Sequence, residues 1–236
     1  MHIYWCPLIK TSKLILIRHA PVKTEVGCFP DNDPDAIIDD LKIKKLAGHI
    51  PEDCLWYVSP LRRTIQTANA MSKYVNVKEM KLEKRLKEQN FGDWAGRKVS
   101  EVWQELKNNI NQHNFSFICP EVSPPNGESF LTQLERVSIW LEGLQFFEPQ
   151  TAVIIAHSGT IKGMLAYILG IDPDKVIGIE ISHLSLTSVE FLAKTDDKNR
   201  GGRFRVLGIN NKVCLLYTSD AADDLLCVDL GGRRII

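Results

Sequence analysis

The segments KLILIRHA (residues 13–20) and AVIIAHSGT (residues 152–160) decide the fold of this chain of 236 residues. Each is a short apolar run, rich in β-branched residues, that ends abruptly in a polar cluster containing a histidine. A strand buried in a parallel sheet has this pattern, and ligands of open α/β sheets bind where the strands end. The two segments therefore predict core strands with His19 and His157 at their carboxyl ends, and with Arg18 beside the first histidine.

The residue types at these strand ends indicate phosphate chemistry. An imidazole can act as a nucleophile, and a guanidinium group binds phosphate oxygens in a fork geometry. Arg18, His19 and His157 together suggest phosphoryl transfer through a phosphohistidine. Neither segment alone is sufficient evidence for phosphoryl transfer, because a histidine that follows a strand is often an ordinary core or loop residue.

The composition is that of a globular protein, and the length is sufficient for one α/β domain. The chain has 29 basic and 29 acidic residues, which argues against a nucleic-acid partner or a membrane surface. No apolar run approaches the roughly 20 residues that a membrane span needs, and the start of the chain lacks the apolar region of a signal peptide. The cysteines are scattered, without a Cys-x-x-Cys pair. This pattern fits reduced thiols in the cytoplasm and suggests neither a disulfide framework nor a zinc site.

The sequence divides into three predicted parts. Residues 1–12 form an N-terminal extension, and residues 13–213 form one domain with no sign of a second. Residues 214–236 resemble the translation of sequencing-adapter read-through, so we interpret them as a non-native tail. Physical chemistry alone does not object to this tail, because Thr218 and Ser219 could cap a short helix. We exclude it from the fold prediction.

Strand and helix signals alternate along residues 13–213, as in layered α/β folds. Strands are predicted at 13–17, 55–58, 77–82, 152–156, 184–192 and 203–209. Helices are predicted at 36–48, 100–109, 128–147 and 160–169. A further helix is predicted to follow the second strand, with Ser59 as its cap and Pro60 in its first turn, and to end at about residue 74. Segments 20–35 and 83–96 are predicted loops, and 110–127 is predicted to be a polar surface insertion.

Four further motifs join the two histidines. They are SPLRRTIQTA (59–68), LKEQNFGDW (86–94), PNGES (125–129) and ISHLSLT (181–187). The first begins a helix directly after a core strand, where a helix N-terminus favours an anion. Each motif also has an ordinary interpretation. Arg62 and Arg63 could lie on a solvated helix face, and Glu88 could be a solvated loop residue. Glu128 could interact with the dipole of the helix that follows it. His183 is interpreted as structural.

In order and spacing these motifs resemble the histidine phosphatase superfamily, which includes cofactor-dependent phosphoglycerate mutases and α-ribazole phosphatases. The resemblance covers about residues 13–213. It rests on the joint pattern of IRH, SPLRRTxxTA, ExxFGxW, GES and AHSG. It implies a phosphoglycerate mutase-like fold, which is a three-layer α/β/α sandwich with a mostly parallel central sheet.

The resemblance also implies roles for individual residues. His19 matches the nucleophile, Glu88 the proton donor and His157 the second histidine of the phosphate pocket. The phosphate ligands would be Arg18, Arg63, His157 and Ser158, with Arg62 a neighbour. The nucleophile must be a neutral imidazole whose other nitrogen donates to a backbone carbonyl or a similar acceptor. The resemblance implies no metal and no other cofactor.

Departures from the mutase pattern favour a phosphatase. Ala20 stands where glycine follows Arg-His in the better-known members, and Ser158-Gly159 replaces the mutases' Gly-Asn after the second histidine. We therefore expect a metal-independent phosphomonoesterase that acts on a small phosphorylated metabolite. A phosphomutase and a non-catalytic phosphate-binding relative are the alternatives. Loop 20–35 and insertion 97–127 carry no recognisable signature, so the substrate is not predicted, and a homodimer is left open.

Overall fold

The computed structural model describes residues 11–23, 25–31, 33–106, 113–146, 148–192 and 202–213. The predictions for residues 1–10 and for the tail 214–236 therefore lie outside the described residues. Within these ranges the order of elements follows the predicted alternation of strands and helices, with an additional short α-helix after residue 170. The predicted loop 83–96 contains two 3-10 helices, Lys84–Leu86 and Gly92–Trp94.

A six-stranded sheet forms the centre of the molecule. Its strands are β1 (Ser12–Arg18), β2 (Cys54–Val58), β3 (Val77–Leu82), β4 (Thr151–Ala156), β5 (Leu186–Phe191) and β6 (Phe204–Asn211). Their order across the sheet is β3-β2-β4-β1-β5-β6. The first four in this order run parallel, whereas β5 and β6 are antiparallel to their neighbours. The mostly parallel sheet predicted from the sequence is confirmed.

Helices cover both faces of the sheet. They are α1 (Asp40–Ala47), α2 (Arg62–Met71), α3 (Val99–Glu105), α4 (Phe130–Glu142), α5 (Ser158–Leu169) and α6 (Pro173–Val176). Successive residues of a strand point to opposite faces. Accordingly, Ile15 and Ile17 of β1 pack with α1 and α2, while Leu14 and Leu16 pack with α4 and α5. The three-layer α/β/α arrangement follows from this alternation.

Capping residues make two helices shorter than their apolar patterns predict. The Asp39 side chain accepts a hydrogen bond from the Lys42 N–H, so α1 begins at Asp40 and not at residue 36. Ser129 caps α4 in the same way, and Gly143 ends it well before residue 147. Side-chain caps satisfy backbone N–H groups that the helix leaves free, and they fix its first residue.

Two sequence-based expectations were wrong. Ser59 does not cap α2, because the helix begins at Arg62 with Leu61 as its N-cap residue. The segment 110–127 is not only a polar surface insertion, since Ile118 and Cys119 are buried. Ile118 packs in a third apolar cluster with Phe29 and neighbouring residues. No helix in the described ranges is both long enough and apolar enough to cross a membrane.

Candidate active site

His19 follows β1 directly and lies at the carboxyl edge of the parallel strands. Its Nδ1 atom is 2.6 Å from the carbonyl oxygen of Ala20. A carbonyl oxygen can only accept a hydrogen bond, so Nδ1 carries the proton and Nε2 keeps its lone pair. Burial, and then the nearby His157, lowers the pKa of His19 to about 2. The ring is therefore neutral at physiological pH, as the sequence analysis requires of a nucleophile.

Two hydrogen bonds fix the chain just after His19. The Ala20 N–H donates to Oγ1 of Thr67 at 2.9 Å, and the Thr67 hydroxyl donates to the carbonyl oxygen of Arg63 at 2.7 Å. Ala20 itself is fully buried, so a small side chain fits at the position where the better-known relatives have glycine. The end of β1 is thus tied to the first turns of α2.

The two arginines of the first turn of α2 point in different directions. Nε of Arg63 donates to Nε2 of His19 at 3.2 Å, and the Arg63 side chain is buried. The Arg62 side chain is 60% exposed and forms an ion pair with Asp35 at 2.6 Å. Adjacent residues of an α-helix face different sides because a turn contains 3.6 residues. The structure therefore brings Arg63, and not Arg62, to His19.

His157 and Ser59 form a buried pair behind His19. Nε2 of His157 is 2.8 Å from the Ser59 hydroxyl, and its ring centroid is 5.1 Å from that of His19. Nδ1 of His157 has no hydrogen-bond partner among the described residues. Burial, and then the charge of Arg63, holds the pKa of His157 well below its usual value, so this ring is also neutral. The contact with His157 explains why the Ser59 hydroxyl does not cap α2.

Arg18 is the second guanidinium group at this edge of the sheet. Its Nη1 atom donates to the carbonyl oxygen of Ile181 at 2.6 Å. Its Nε atom is buried and has no partner among the described residues. Ser158 opens α5, so the N-terminus of this helix faces the same space. Free N–H groups and the helix dipole favour an anion there.

Glu88 is held in place by α4 and α5. Its Oε1 atom accepts a hydrogen bond from Nε2 of Gln133 at 2.9 Å, and its Oε2 atom accepts one from the Gly159 N–H at 3.2 Å. An added Cβ atom at Gly159 would lie 2.7 Å from Oε1 of Gln133 and closer still to Glu88. Position 159 therefore has room only for glycine while Glu88 keeps this position.

Glu128 stabilises the loop that carries Glu88. It forms an ion pair with Arg136 at 2.6 Å, and its Oε1 atom accepts from the Asn90 N–H at 3.1 Å. Arg136 also donates to the carbonyl oxygens of Arg85 and Lys87, at 2.6 and 2.9 Å. Glu128 does not line the cavity described below. The partner of Glu128 is Arg136 of α4, whose side chain contacts the loop that carries Glu88.

Two glycines allow this loop to contact the segment before α4. A Cβ atom at Gly127 would lie 2.5 Å from the carbonyl oxygen of Asn90, and one at Gly92 would overlap the carbonyl oxygen of Pro125. Gly92 also has a positive φ of 49°. The backbones of residues 90–92 and 125–127 are therefore in direct contact, which explains the glycines of the FGxW and GES motifs.

His183, interpreted from the sequence as structural, lies in the site. Its ring centroid is 5.3 Å from that of His19, and it lines the same cavity. Burial, and then the charge of Arg18, lowers its pKa to about 4. Because β5 runs antiparallel to β1, residues just before β5 lie beside the carboxyl end of β1. The following residue, Leu184, has a φ of 57° and donates its N–H to the Arg18 carbonyl oxygen at 3.0 Å.

Several of these side chains line one cavity, which has a volume of about 590 Å³. Of the predicted site residues, those that line it are Arg18, His19, Arg63, Glu88 and Ser158. His157 is completely buried and contacts the ring of His19. In the part of the chain that the structure describes, no three His, Cys, Asp or Glu side chains are grouped so that they could hold a metal ion.

Comparisons with known sequences agree with this picture. The model of the histidine phosphatase superfamily (branch 1) matches residues 41–200, which is more than half of the chain. Phosphoserine phosphatase 1 of Hydrogenobacter thermophilus is 31% identical over 177 residues, covering 69% of this chain and 79% of that protein. A 2,3-bisphosphoglycerate-dependent phosphoglycerate mutase of Bartonella henselae is 28% identical over 189 residues, covering 72% and 87%.

Solved structures share the fold. A mycobacterial glucosyl-3-phosphoglycerate phosphatase superposes with a TM-score of 0.65 at 18% identity, covering 85% of this chain and 99% of that one. The phosphoserine phosphatase of Entamoeba histolytica, solved with 3-phosphoglyceric acid, gives a TM-score of 0.62 at 20% identity, covering 85% and 97%. At these identities the superpositions establish the architecture and leave the substrate open.

Proposed function

Because the chain belongs to the histidine phosphatase superfamily, we propose that it is a metal-independent phosphomonoesterase that acts through a phosphohistidine at His19 on a small phosphorylated molecule. The observation that carries the proposal is the state of His19. Its proton is held on Nδ1 by the Ala20 carbonyl, so Nε2 keeps its lone pair, which accepts a hydrogen bond from Nε of Arg63. A neutral imidazole with an oriented lone pair is the form that attacks phosphorus.

In the first half of the reaction, Nε2 of His19 forms a bond to phosphorus while the bond from phosphorus to the alcohol oxygen breaks. Arg18 and Arg63 donate to the oxygens of the transferring phosphoryl group, as does the N-terminus of α5 at Ser158. The unpaired Nδ1 atom of His157 is assigned the same role, because the Ser59 hydroxyl can donate to Nε2 of that ring. These donors balance the charge of the phosphoryl oxygens.

Glu88 is assigned the proton transfers. In its protonated form it gives a proton to the departing alcohol oxygen. In the second half of the reaction, its carboxylate takes a proton from water as the water oxygen bonds to phosphorus and the bond from Nε2 breaks. The products are the alcohol and inorganic phosphate, with His19 neutral and Glu88 protonated again. The contacts of Glu88 with Gln133 and Gly159 support this role, since they hold the carboxyl group at the cavity.

The test is acid-quenched labelling with a phosphoester that carries ³²P. Wild type should acquire a label that is acid-labile and stable to alkali, and it should release phosphate in the presence of EDTA. His19→Ala should lose both the label and turnover, because it removes the nitrogen atom to which the phosphoryl group is transferred. The exposed residue His49 provides the matched control, and His49→Ala should behave as wild type.

Each alternative has its own outcome in this experiment. A phosphomutase would acquire the label but pass it to a second phosphorylated acceptor faster than to water. A non-catalytic phosphate-binding relative would acquire no label from any phosphoester. If His19→Ala keeps most of the wild-type activity, the nucleophile has been assigned to the wrong residue.

A further inference from the structure

We propose that the end of the cavity away from the phosphate-binding side chains is a subsite for a bulky apolar alcohol, and that the preferred substrates are phosphomonoesters of aromatic alcohols. This inference rests on the proposed phosphatase function and names its substrate class. The cavity has a volume of about 590 Å³, within the size range of pockets that enclose whole ligands. A phosphoryl group fills only a small part of that volume, so most of the cavity is available to the leaving group.

Six apolar side chains of the cavity lining, four of them aromatic, are assigned to this subsite. They are Phe91, Phe115, Phe117, Ile118, Phe130 and Ile177. Polar residues line the same cavity, among them Gln89, Asn114 and Ser116. The six apolar residues come from the loop that carries Glu88, from the insertion before α4, from the start of α4 and from the end of α6. The apolar subsite is therefore continuous with the phosphate-binding end of the same cavity.

The aromatic side chains of this subsite pack against other aromatic rings of the protein. Phe29 is buried, and its ring centroid lies 5.4 Å from that of Phe91 and 5.6 Å from those of Trp94 and Phe117. Such distances are typical of favourable aromatic pairs. Phe91 and Phe117 are thus held in place by their contacts with Phe29. Binding of an aromatic ligand would therefore cost little side-chain conformational entropy.

Two phenylalanines at the cavity remain exposed. Phe115 is 75% exposed and Phe117 is 44% exposed. Exposed apolar side chains gathered at a cavity indicate a binding surface, whereas scattered ones do not. An aromatic leaving group would cover them, and the burial of its apolar surface would favour binding.

The cationic groups of the cavity argue against a carboxylate at this end. Among the described residues that line the cavity, the arginines are Arg18 and Arg63, and both are assigned as ligands of the phosphoryl group. Lys162 also lines the cavity, but its Nζ atom donates to the carbonyl oxygen of Ile177 at 2.7 Å. Burial also lowers the pKa of Lys162. A carboxylate would find no guanidinium fork at the apolar end, although that group binds carboxylates best.

The experiment compares kcat/KM for phosphoesters whose phenols have similar acidity. Phenyl phosphate and 2-naphthyl phosphate differ in the size of the apolar group. The phosphates of 4-propylphenol and 3-(4-hydroxyphenyl)propanoate differ in whether the side chain ends in a methyl group or a carboxylate. We expect the naphthyl ester to exceed the phenyl ester by about tenfold or more, and the propyl ester to exceed the carboxylate by a similar factor.

Substitutions locate the effect. Phe115→Ala should bring the ratio of naphthyl to phenyl ester close to one, and folding should not depend on a side chain so exposed. Phe117→Ala should act in the same direction, with its melting temperature measured because this ring packs on Phe29. Leu207→Ala is the matched control, since Leu207 is 47% exposed on β6 and does not line the cavity. It should keep the wild-type ratio.

The outcomes separate this inference from the proposed function. An active enzyme with a naphthyl-to-phenyl ratio near one, or with a preference for the carboxylate, would overturn the aromatic subsite and leave the phosphatase function standing. An unchanged ratio in Phe115→Ala and Phe117→Ala would overturn it too. Failure to hydrolyse the four aryl esters, in an enzyme that hydrolyses an alkyl phosphate, would also overturn only the aromatic subsite. Failure to hydrolyse any phosphoester, aryl or alkyl, would overturn the proposed function itself.

Discussion

Replacing Gly159 with alanine is expected to displace the proposed proton donor while the fold stays intact. An alanine Cβ atom would lie 2.7 Å from Oε1 of Gln133 and closer still to Oε1 of Glu88. Both atoms are at the ends of flexible side chains, so these side chains would move and the backbone would not. Glu88 would then leave the position in which it accepts from the Gly159 N–H.

The expected loss of activity depends on the leaving group. General acid catalysis contributes about 10²–10⁴ in rate, so kcat/KM for an alkyl phosphate should fall by a factor in that range. A p-nitrophenolate leaves without a proton, so kcat/KM for p-nitrophenyl phosphate should fall far less. Stability should change little. Alanine is favoured over glycine in a helix by about 0.5–1 kcal/mol, which roughly offsets one weakened hydrogen bond.

The assay measures kcat/KM for both esters, together with the melting temperature. Gly163→Ala is the matched control, because Gly163 lies on the same helix and a Cβ atom there would lie 3.4 Å from Cα of Leu134 and contact no site residue. Glu88→Gln should reproduce the dependence on the leaving group. The double variant Glu88→Gln with Gly159→Ala should be little worse than either single variant, since both remove one function.

Three results would refute this reasoning. An equal loss with both esters would show that Gly159→Ala damages the phosphate end of the site. A loss no larger than that of Gly163→Ala would show that Glu88 tolerates the new methyl group. A melting temperature lowered by more than about 5 °C would show that the backbone, and not the side chains, had moved.

Three further predictions concern the arginines, the pH dependence of stability and the tail. Arg63→Ala should lower kcat/KM by about 10²–10³ and Arg62→Ala distinctly less, and equal losses would show that the wrong arginine was chosen. His19 is buried with a pKa of about 2, whereas the unfolded chain binds this proton below about pH 6.5, so stability is lost as pH falls through that range. His19→Asn should remove up to about 1.4 kcal/mol per pH unit from the slope of unfolding free energy, measured in urea between pH 6 and 4, and an unchanged slope would contradict the burial argument. Truncation after Val213 should leave the melting temperature and the rate nearly unchanged, because the last strand of the described residues ends at Asn211. A drop of several degrees would show that the tail packs on the domain.

The sequence predicted those features that depend on local pattern. Buried parallel strands are continuous apolar runs, so β1 and β4 could be placed, and with them the positions of His19 and His157. The choice of Arg63 over Arg62 needed the family resemblance, because helical spacing alone does not say which side of α2 faces the sheet edge.

The features that were missed depend on contacts between distant segments. His183 lies beside His19 because β5 pairs antiparallel with β1, and nothing in the ISHLSLT motif states the direction of that strand. Phe29 and Phe117 come from two irregular loops, which have no periodicity to indicate that their rings pack together. The Ser59 hydroxyl has the chemistry of a helix cap, but the contact with His157 takes precedence.

The contact between Gly92 and Gly127 has a consequence for any attempt to transplant specificity. The loop that carries Glu88 and the insertion that carries Phe115 and Phe117 meet there backbone to backbone. An insertion grafted from a relative would bring a new binding surface, and it would also set the position of the acid loop. Such a graft needs glycine at both contact positions. Without them, a chimera could gain affinity for a new alcohol and lose the alignment needed to protonate it.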